Sequence, residues 1–323
     1  MRQSSAQLNC LSIAILLALM PIQELLAGPG LPTRDMNPIL QTIFLPGYLS
    51  LDEKQGWRID HALYITNTTH SKANNSESVV IDGENYRYEL MLGYRQNDWV
   101  WQLRLPHISH VGGHLDSAIE SWHDFLDLPD GPRASFPKDQ LQIRYRRNNN
   151  TVLLQTEPSH GFGDVSIAFG HHPPGETGYF VALELPTGSA SDHTGNEGID
   201  VAAWLLGDHA ITPKLSTYGM LGVTVPADTG ALENLVADYI WVAQVGLSYD
   251  FSDQTTGYTQ LDLHSESLKD STLEPFDDSL QLQLGLGFDG WLKRYRVDLF
   301  ISEDIDVGSA PDITFGIRLA QTL

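Results

Sequence analysis

The sequence predicts an all-β fold, a transmembrane antiparallel β-barrel of about 14 strands, with 12 as the alternative. Three observations predict it: an export signal at the N-terminus, period-two alternation through most of the remaining chain, and connections that alternate between short and long.

The signal comes first in chain order. Arg2 precedes an apolar run over 11–20, Pro21 follows, and Ala27 offers a small residue for cleavage before Gly28. The run is too short to cross a bilayer as a helix, and no later stretch reaches the roughly 18 consecutive apolar residues such a helix needs. Residues 1–27 are therefore a cleaved signal peptide, and the destination is the outer membrane of a Gram-negative cell. The only cysteine, Cys10, leaves with the signal, so disulfides, thiolate chemistry and cysteine-based zinc sites are excluded from the mature chain. A net charge of −22 repels phosphate backbones and excludes nucleic acid as a partner. No linker divides the mature chain into separate domains.

Residues 28–56 carry Pro29, Pro32, Pro38 and Pro46. Each proline fixes φ and removes a donor, so this lead-in is an irregular segment, periplasmic or plug-like. The barrel occupies 57–323. Its strand runs fall at 57–69, 80–96, 99–109, 140–147, 151–156, 163–172, 177–186, 197–207, 213–225, 237–251, 254–267, 278–289, 292–303 and 312–323. In the clearest, Leu280, Leu282, Leu284, Leu286 and Phe288 share one face, while Gln281, Gln283, Gly285, Gly287 and Asp289 share the other. Turns such as 96–98 and 252–253 are tight, whereas 110–139, 187–196, 226–236, 268–277 and 304–311 are long, which puts both termini on the periplasmic side. The runs 140–147 and 151–156 are short beside the roughly 9–11 residues of a membrane strand, hence the alternative count.

Period two alone also fits a soluble sandwich or barrel whose apolar face turns inward. Aromatic residues toward strand ends, including Trp99, Trp101, Tyr239, Trp241, Tyr249 and Phe251, favour lipid outside. So does the charge on the minor face, because a basic side chain pointed at lipid near the midplane costs about 2–4 kcal/mol. The lumen candidates are Arg87, Glu89, Arg104, Arg144, Arg146, Glu184, Asp262, His264, Glu266, Arg294, Arg296, Asp298 and Arg318. In the longest extracellular loop the pattern turns helical: Leu115, Ile119, Trp122, Phe125 and Leu126 form one stripe, away from Asp116, Glu120 and Asp124. This short amphipathic helix is the candidate gate or plug.

The lead-in over 28–40, the loop over 112–133 and the "GFGDVSIAF" string over 161–169 resemble the bacterial family catalogued as domain of unknown function 3187. The resemblance spans essentially the whole mature chain and implies an outer-membrane location, with no activity to carry over. The opening Gly-x-Gly-Asp of that string and "LPTG" at 185–188 occur in other outer-membrane barrels as well. The last strand departs from the usual assembly signal, with Leu323 in place of Phe and Gln321 where an aromatic is common.

Candidate chemistry is sparse. In His264-Ser265-Glu266, alternation sends His264 and Glu266 to the lumen and Ser265 to lipid, so a hydrolase would need a serine from another strand. His107, His110, His114 and His123 crowd the long loop without the His-Glu-x-x-His spacing of zinc enzymes, and no cofactor or metal is expected. The favoured function is a passive channel or small-molecule uptake barrel with a mixed-charge lumen, gated by the loop helix. Its partners are outer-membrane lipids and lipopolysaccharide, the assembly machinery reading the C-terminal strand, and an unspecified small solute. A plugged structural or envelope-interaction barrel is the alternative, and a barrel lipid hydrolase the third reading.

Overall fold

A computed structural model describes residues 30–47, 55–126, 133, 136–292, 294–305 and 308–323. The expected signal peptide, residues 1–27, lies outside these. Fifteen strands and one α-helix follow in chain order: β1 (Gly56–Ala73), β2 (Glu77–Gln96), β3 (Trp99–Val111), α1 (Asp116–Leu126), β4 (Gln142–Arg147), β5 (Asn150–Gln155), β6 (Ser159–Phe162), β7 (Val165–His171), β8 (Gly178–Leu185), β9 (Asp200–Thr212), β10 (Leu215–Val225), β11 (Ile240–Ser252), β12 (Thr255–His264), β13 (Ser279–Leu292), β14 (Tyr295–Asp304) and β15 (Ile313–Thr322).

Twelve of the strands form a closed antiparallel ring. From β1 it passes through β2 and β3 to β7, then in sequence to β15, which pairs back onto β1 from Arg58 opposite Thr322 to Asn67 opposite Ile313. The count of about 14 is thus corrected to 12, and the runs left out are those at 140–147 and 151–156. The reason lies in β1 and β2, which are 18 and 20 residues long and project past the membrane-crossing length. β3 pairs with β2 only from Glu84 onward, and β4 takes the projecting part, from Glu77 opposite Arg147 to Asp82 opposite Gln142. Short strands suffice there because they cross nothing. β6 continues the β7 edge along β3, with Gly163 and Asp164 between.

Alternation then divides the faces. Val181, Leu205, Leu221, Leu284 and Ile301 are exposed on the outside, while Gln260, Gln281, Gln283, Asp298 and Arg318 are buried on the inside. Near the tight turns the outer face becomes aromatic: Trp57 packs on Tyr94 at 4.9 Å, Trp99 stacks on Phe169 at 4.9 Å, and Tyr249 meets Phe251 at 5.2 Å. Rings at this level suit a lipid headgroup zone. Among the described residues no helix is long and apolar enough to cross a membrane.

Candidate functional site

The bore of the ring is filled by the chain's own lead-in. Residues 30–47 contain no strand, only a 3-10 turn at Leu40–Thr42, and run up the inside of the wall before doubling back. On the way up, the Leu31 N–H donates to Gln260 Oε1 (3.0 Å) and Gln260 Nε2 returns a bond to Leu31 O (3.2 Å), so one glutamine substitutes for a strand partner. The Tyr64 hydroxyl donates to Pro32 O (2.5 Å), Gln244 Nε2 to Thr33 O (3.2 Å), and the Thr33 hydroxyl to Asp262. His264 Nε2 lies 2.9 Å from Asp35 Oδ2. Above these, Asn37 reaches the carbonyl of Pro275 in the β12–β13 loop (3.0 Å). On the return, Asp200 accepts the Phe44 N–H (2.9 Å) together with Ala227 N–H (2.7 Å) and Asn196 Nδ2 (2.8 Å), tying the hairpin to two loops. Arg34 Nη2 donates to Ile43 O (2.9 Å) across the hairpin itself.

The wall makes room for it. A Cβ on Gly285 would stand 3.1 Å from the Leu31 side chain, and one on Gly287 would stand 2.0 Å from Arg296 Nη2. The small face of β13 is therefore a recess, one side for the hairpin and the other for an arginine.

Three levels follow along the axis. Nearest the tight turns, alternate residues of one strand pair on the same face: Arg58 with Asp60 (2.8 Å), Arg296 with Asp298 (3.0 Å), and Arg318 Nε across to Asp298 (2.8 Å). In the middle, Arg87 pairs with Glu89 (2.6 Å), and the guanidinium of Arg34 enters a field set by Arg87, Glu89, Glu184 and Arg104. At the loop end the hairpin tip, Ile39, Leu40, Ile43 and Phe44, joins one apolar cluster with Tyr145, Leu153, Leu232, Val236 and Phe276. Tyr145 and Leu153 belong to the two short strands, so β4 and β5 roof the tip.

Nine lumen candidates lie in this interior: Arg87, Glu89, Glu184, Asp262, His264, Asp298 and Arg318 are buried, and Arg104 and Arg296 half-buried. Four do not. Arg144 and Arg146 stand on β4, whose inward face is Ile143 and Tyr145; Glu266 is exposed beyond the end of β12, and Arg294 is exposed in the β13–β14 turn. Arg34, Asp35, Asp164 and Asp200 were not among the candidates. The first two lie outside any periodic run and the others at strand edges, so alternation carries no signal for them.

The loop helix is anchored at its start. Glu84 Oε1 accepts the N–H groups of His114 (2.7 Å) and Leu115 (2.5 Å), and Gly113, at φ +82°, leaves the space in which that carboxylate sits. Asp116 accepts from Asn67 (3.1 Å), Arg133 (2.9 Å) and the Asp139 N–H (2.8 Å), and Arg133 also reaches Asp312 (2.6 Å). Ile119 is buried, and the side chains of Trp122, Phe125 and Leu126 lie outside the described residues.

The suspected catalytic string has no free base. His264 Nδ1 contacts the Ser265 carbonyl (2.8 Å), its other nitrogen is taken by Asp35, and the Ser265 hydroxyl accepts the Trp241 N–H (3.2 Å). Among the loop and turn histidines, burial lowers the pKa of His193, and burial with the neighbouring Arg95 and His171 lowers that of His172 to about 4. Among the described residues no group of three His, Cys, Asp or Glu side chains is arranged to hold a metal ion.

The family model described as "Protein of unknown function (DUF3187)" matches residues 10–321. The chain belongs to the DUF3187 family. Among solved structures, an outer membrane channel from Pseudomonas putida F1 is similar at 13% identity and a TM-score of 0.52, over 84% of this chain and 96% of that one. The NanC porin (8% identity, TM-score 0.44, 82% and 100% coverage) and the P. putida toluene transporter TodX (10%, 0.40, 90% and 93%) align more loosely. No curated protein matches the sequence. The first likeness shows the fold of this DUF3187 member, a closed barrel of the outer-membrane type.

Proposed function

We propose that this protein is a passive outer-membrane channel or uptake barrel for small solutes, closed by its N-terminal hairpin rather than by the loop helix. The observation that carries the reading is the way residues 30–47 fill the bore. They join no strand and are held to the wall by side-chain bonds, whereas Arg58, Arg87, Arg296 and Arg318 of the wall have carboxylate partners of their own in Asp60, Glu89 and Asp298. Removing the hairpin leaves those pairs intact, so an opened lumen would remain polar and hydrated. Helix α1, bound to the rim through Glu84 and Asp116, braces the mouth. In this reading the protein is exported by cleavage near Ala27, its outer face meets lipid and lipopolysaccharide, its last strand is read by the assembly machinery, and it catalyses nothing.

A second reading has its own support. The apolar packing of Ile39, Leu40, Ile43 and Phe44 suits a permanently closed barrel with a structural role in the envelope. Planar-bilayer recording separates the two, using the refolded mature chain beside a variant lacking residues 30–47. Stable conductance steps from the full mature chain that grow in the deletion support the gated channel. Steps from the deletion alone, with the full chain silent and its heat-modifiable migration intact, support the permanently closed barrel, and no steps from either protein would overturn the hairpin as the closing element.

A further inference from the structure

We infer that the lumen contains a site for a cationic group of guanidinium or amine type, which Arg34 of the hairpin occupies while the barrel is closed. The inference rests on the hairpin being the gate.

Arg34 is only 8% exposed. Its hydrogen bond to Ile43 O stays within the hairpin, and its Nε has no hydrogen-bond partner among the described residues. A buried cation needs compensating charge, and no acid of the hairpin supplies it, because Asp35 turns to His264. The compensation comes from the wall: the Ile43 carbonyl that Arg34 bonds is followed directly by the Phe44 N–H that Asp200 holds, and Glu184 stands opposite Asp200 in the β8–β9 register, both acids buried. Asn196 links Asp200 to Asp164, which is buried as well. Glu89 has Arg87 beside it at 2.6 Å. Among the described residues, Glu184, Asp164 and Asp200 have no ion pair. Arg34 is thus the closing element's own contribution to a carboxylate-rich wall.

Withdrawal of the hairpin sharpens this asymmetry. Two arginines would then face four carboxylates at this level, Asp200 would lose the Phe44 N–H, and Asp262 would lose the Thr33 hydroxyl. A solute carrying a planar guanidinium or a protonated amine supplies the charge and donors that the departing arginine removes. The net charge of −22 favours cations approaching the mouth as well.

The test is chemical rescue in the whole mature chain, with guanidinium as the probe. Arg34→Ala should lower the temperature at which the compact band is lost on heat-modifiability gels by several degrees. Guanidinium chloride at tens of millimolar should restore most of that loss, while equal urea or sodium chloride should not, and Arg34→Ala with Glu184→Gln should show no restoration. Arg34→Lys, which keeps the charge, should lose less than Arg34→Ala. No guanidinium-specific recovery, or the same recovery without Glu184, overturns the site. In a salt gradient the variant lacking 30–47 should prefer potassium over chloride by about threefold or more, and Glu184→Gln should reduce that preference. A deletion variant that never conducts sinks the channel reading while the rescue still reads the site. Conduction without cation preference, together with no rescue, removes the cation site alone.

Discussion

Ile39, Leu40 and Ile43 at the loop end and Arg58, Asp298 and Arg318 at the turn end fill the same bore by opposite means. The first group is held by packing against Leu232, Val236 and Phe276, the second by buried ion pairs within and between wall strands. Packing is non-directional and roughly proportional to the area covered, so an apolar tip can leave and reseat without a defined intermediate geometry. A buried ion pair tolerates no such exchange, because losing one partner strands the other in a low dielectric. The tip of the hairpin is thus seated by forgiving contacts and the turn end of the wall by unforgiving ones.

The largest expected effect comes from breaking the fixed end. Asp298→Asn leaves Arg296 and Arg318 without their shared carboxylate and should cost about 3–5 kcal/mol in urea unfolding followed by tryptophan fluorescence. A loss near zero would mean that water already screens this level, and the contrast between the ends would collapse. Ile43→Ala should cost about 2–5 kcal/mol of hairpin seating. It should appear as faster amide exchange over residues 36–45, with the exchange of β12 and β13 unchanged; a barrel that unfolds as a whole would show tip and wall to be one cooperative unit.

A pH series probes the turn end separately. His172 is buried, its ring nitrogens have no hydrogen bond among the described residues, with Asp208 no nearer than 3.9 Å, and its pKa falls from 6.5 to about 4. Such a group favours the folded state fully above its unfolded value near 6.5 and loses that contribution as pH falls toward about 4. The total is up to about 3 kcal/mol, at 1.36 kcal/mol for each unit. His172→Leu should flatten the stability profile between these values, and an unchanged profile would assign acid sensitivity elsewhere. Smallest is Arg146→Ala on exposed β4, which should stay within about 0.5 kcal/mol and leave conductance unaltered. A conductance change there would return β4 to the pore.

The wall was legible because alternation records which side of a strand meets which environment. Every ring strand overlaps a period-two run, and α1 begins one residue after the helical stripe predicts. Alternation does not record what a strand crosses, so 140–147 and 151–156 looked like wall; the shortness of the runs was the clue, and the strands that form there are six residues each. The prolines of the lead-in argue against regular structure there, and residues 30–47 hold only a 3-10 turn. They carry no information about where an irregular segment lies, since that depends on Gln260, Asp262 and Asp200, each more than 150 residues further along. The charged wall was partly visible from Arg87 through Arg318, whereas the cation that faces it, Arg34, was hidden in the segment without a pattern.

The course of the hairpin also bears on assembly. Leu31 meets Gln260 in mid-wall, and Gly47 comes back to within reach of Thr33 O, so both ends of the segment lie on the same side of its tip. Among the described residues neither end of this segment has to be threaded through the ring. The seam between β1 and β15 can zip shut around an empty bore, and the doubled segment can be tucked in afterwards from the side on which the chain enters β1. Insertion into the membrane and sealing of the pore are therefore separable events.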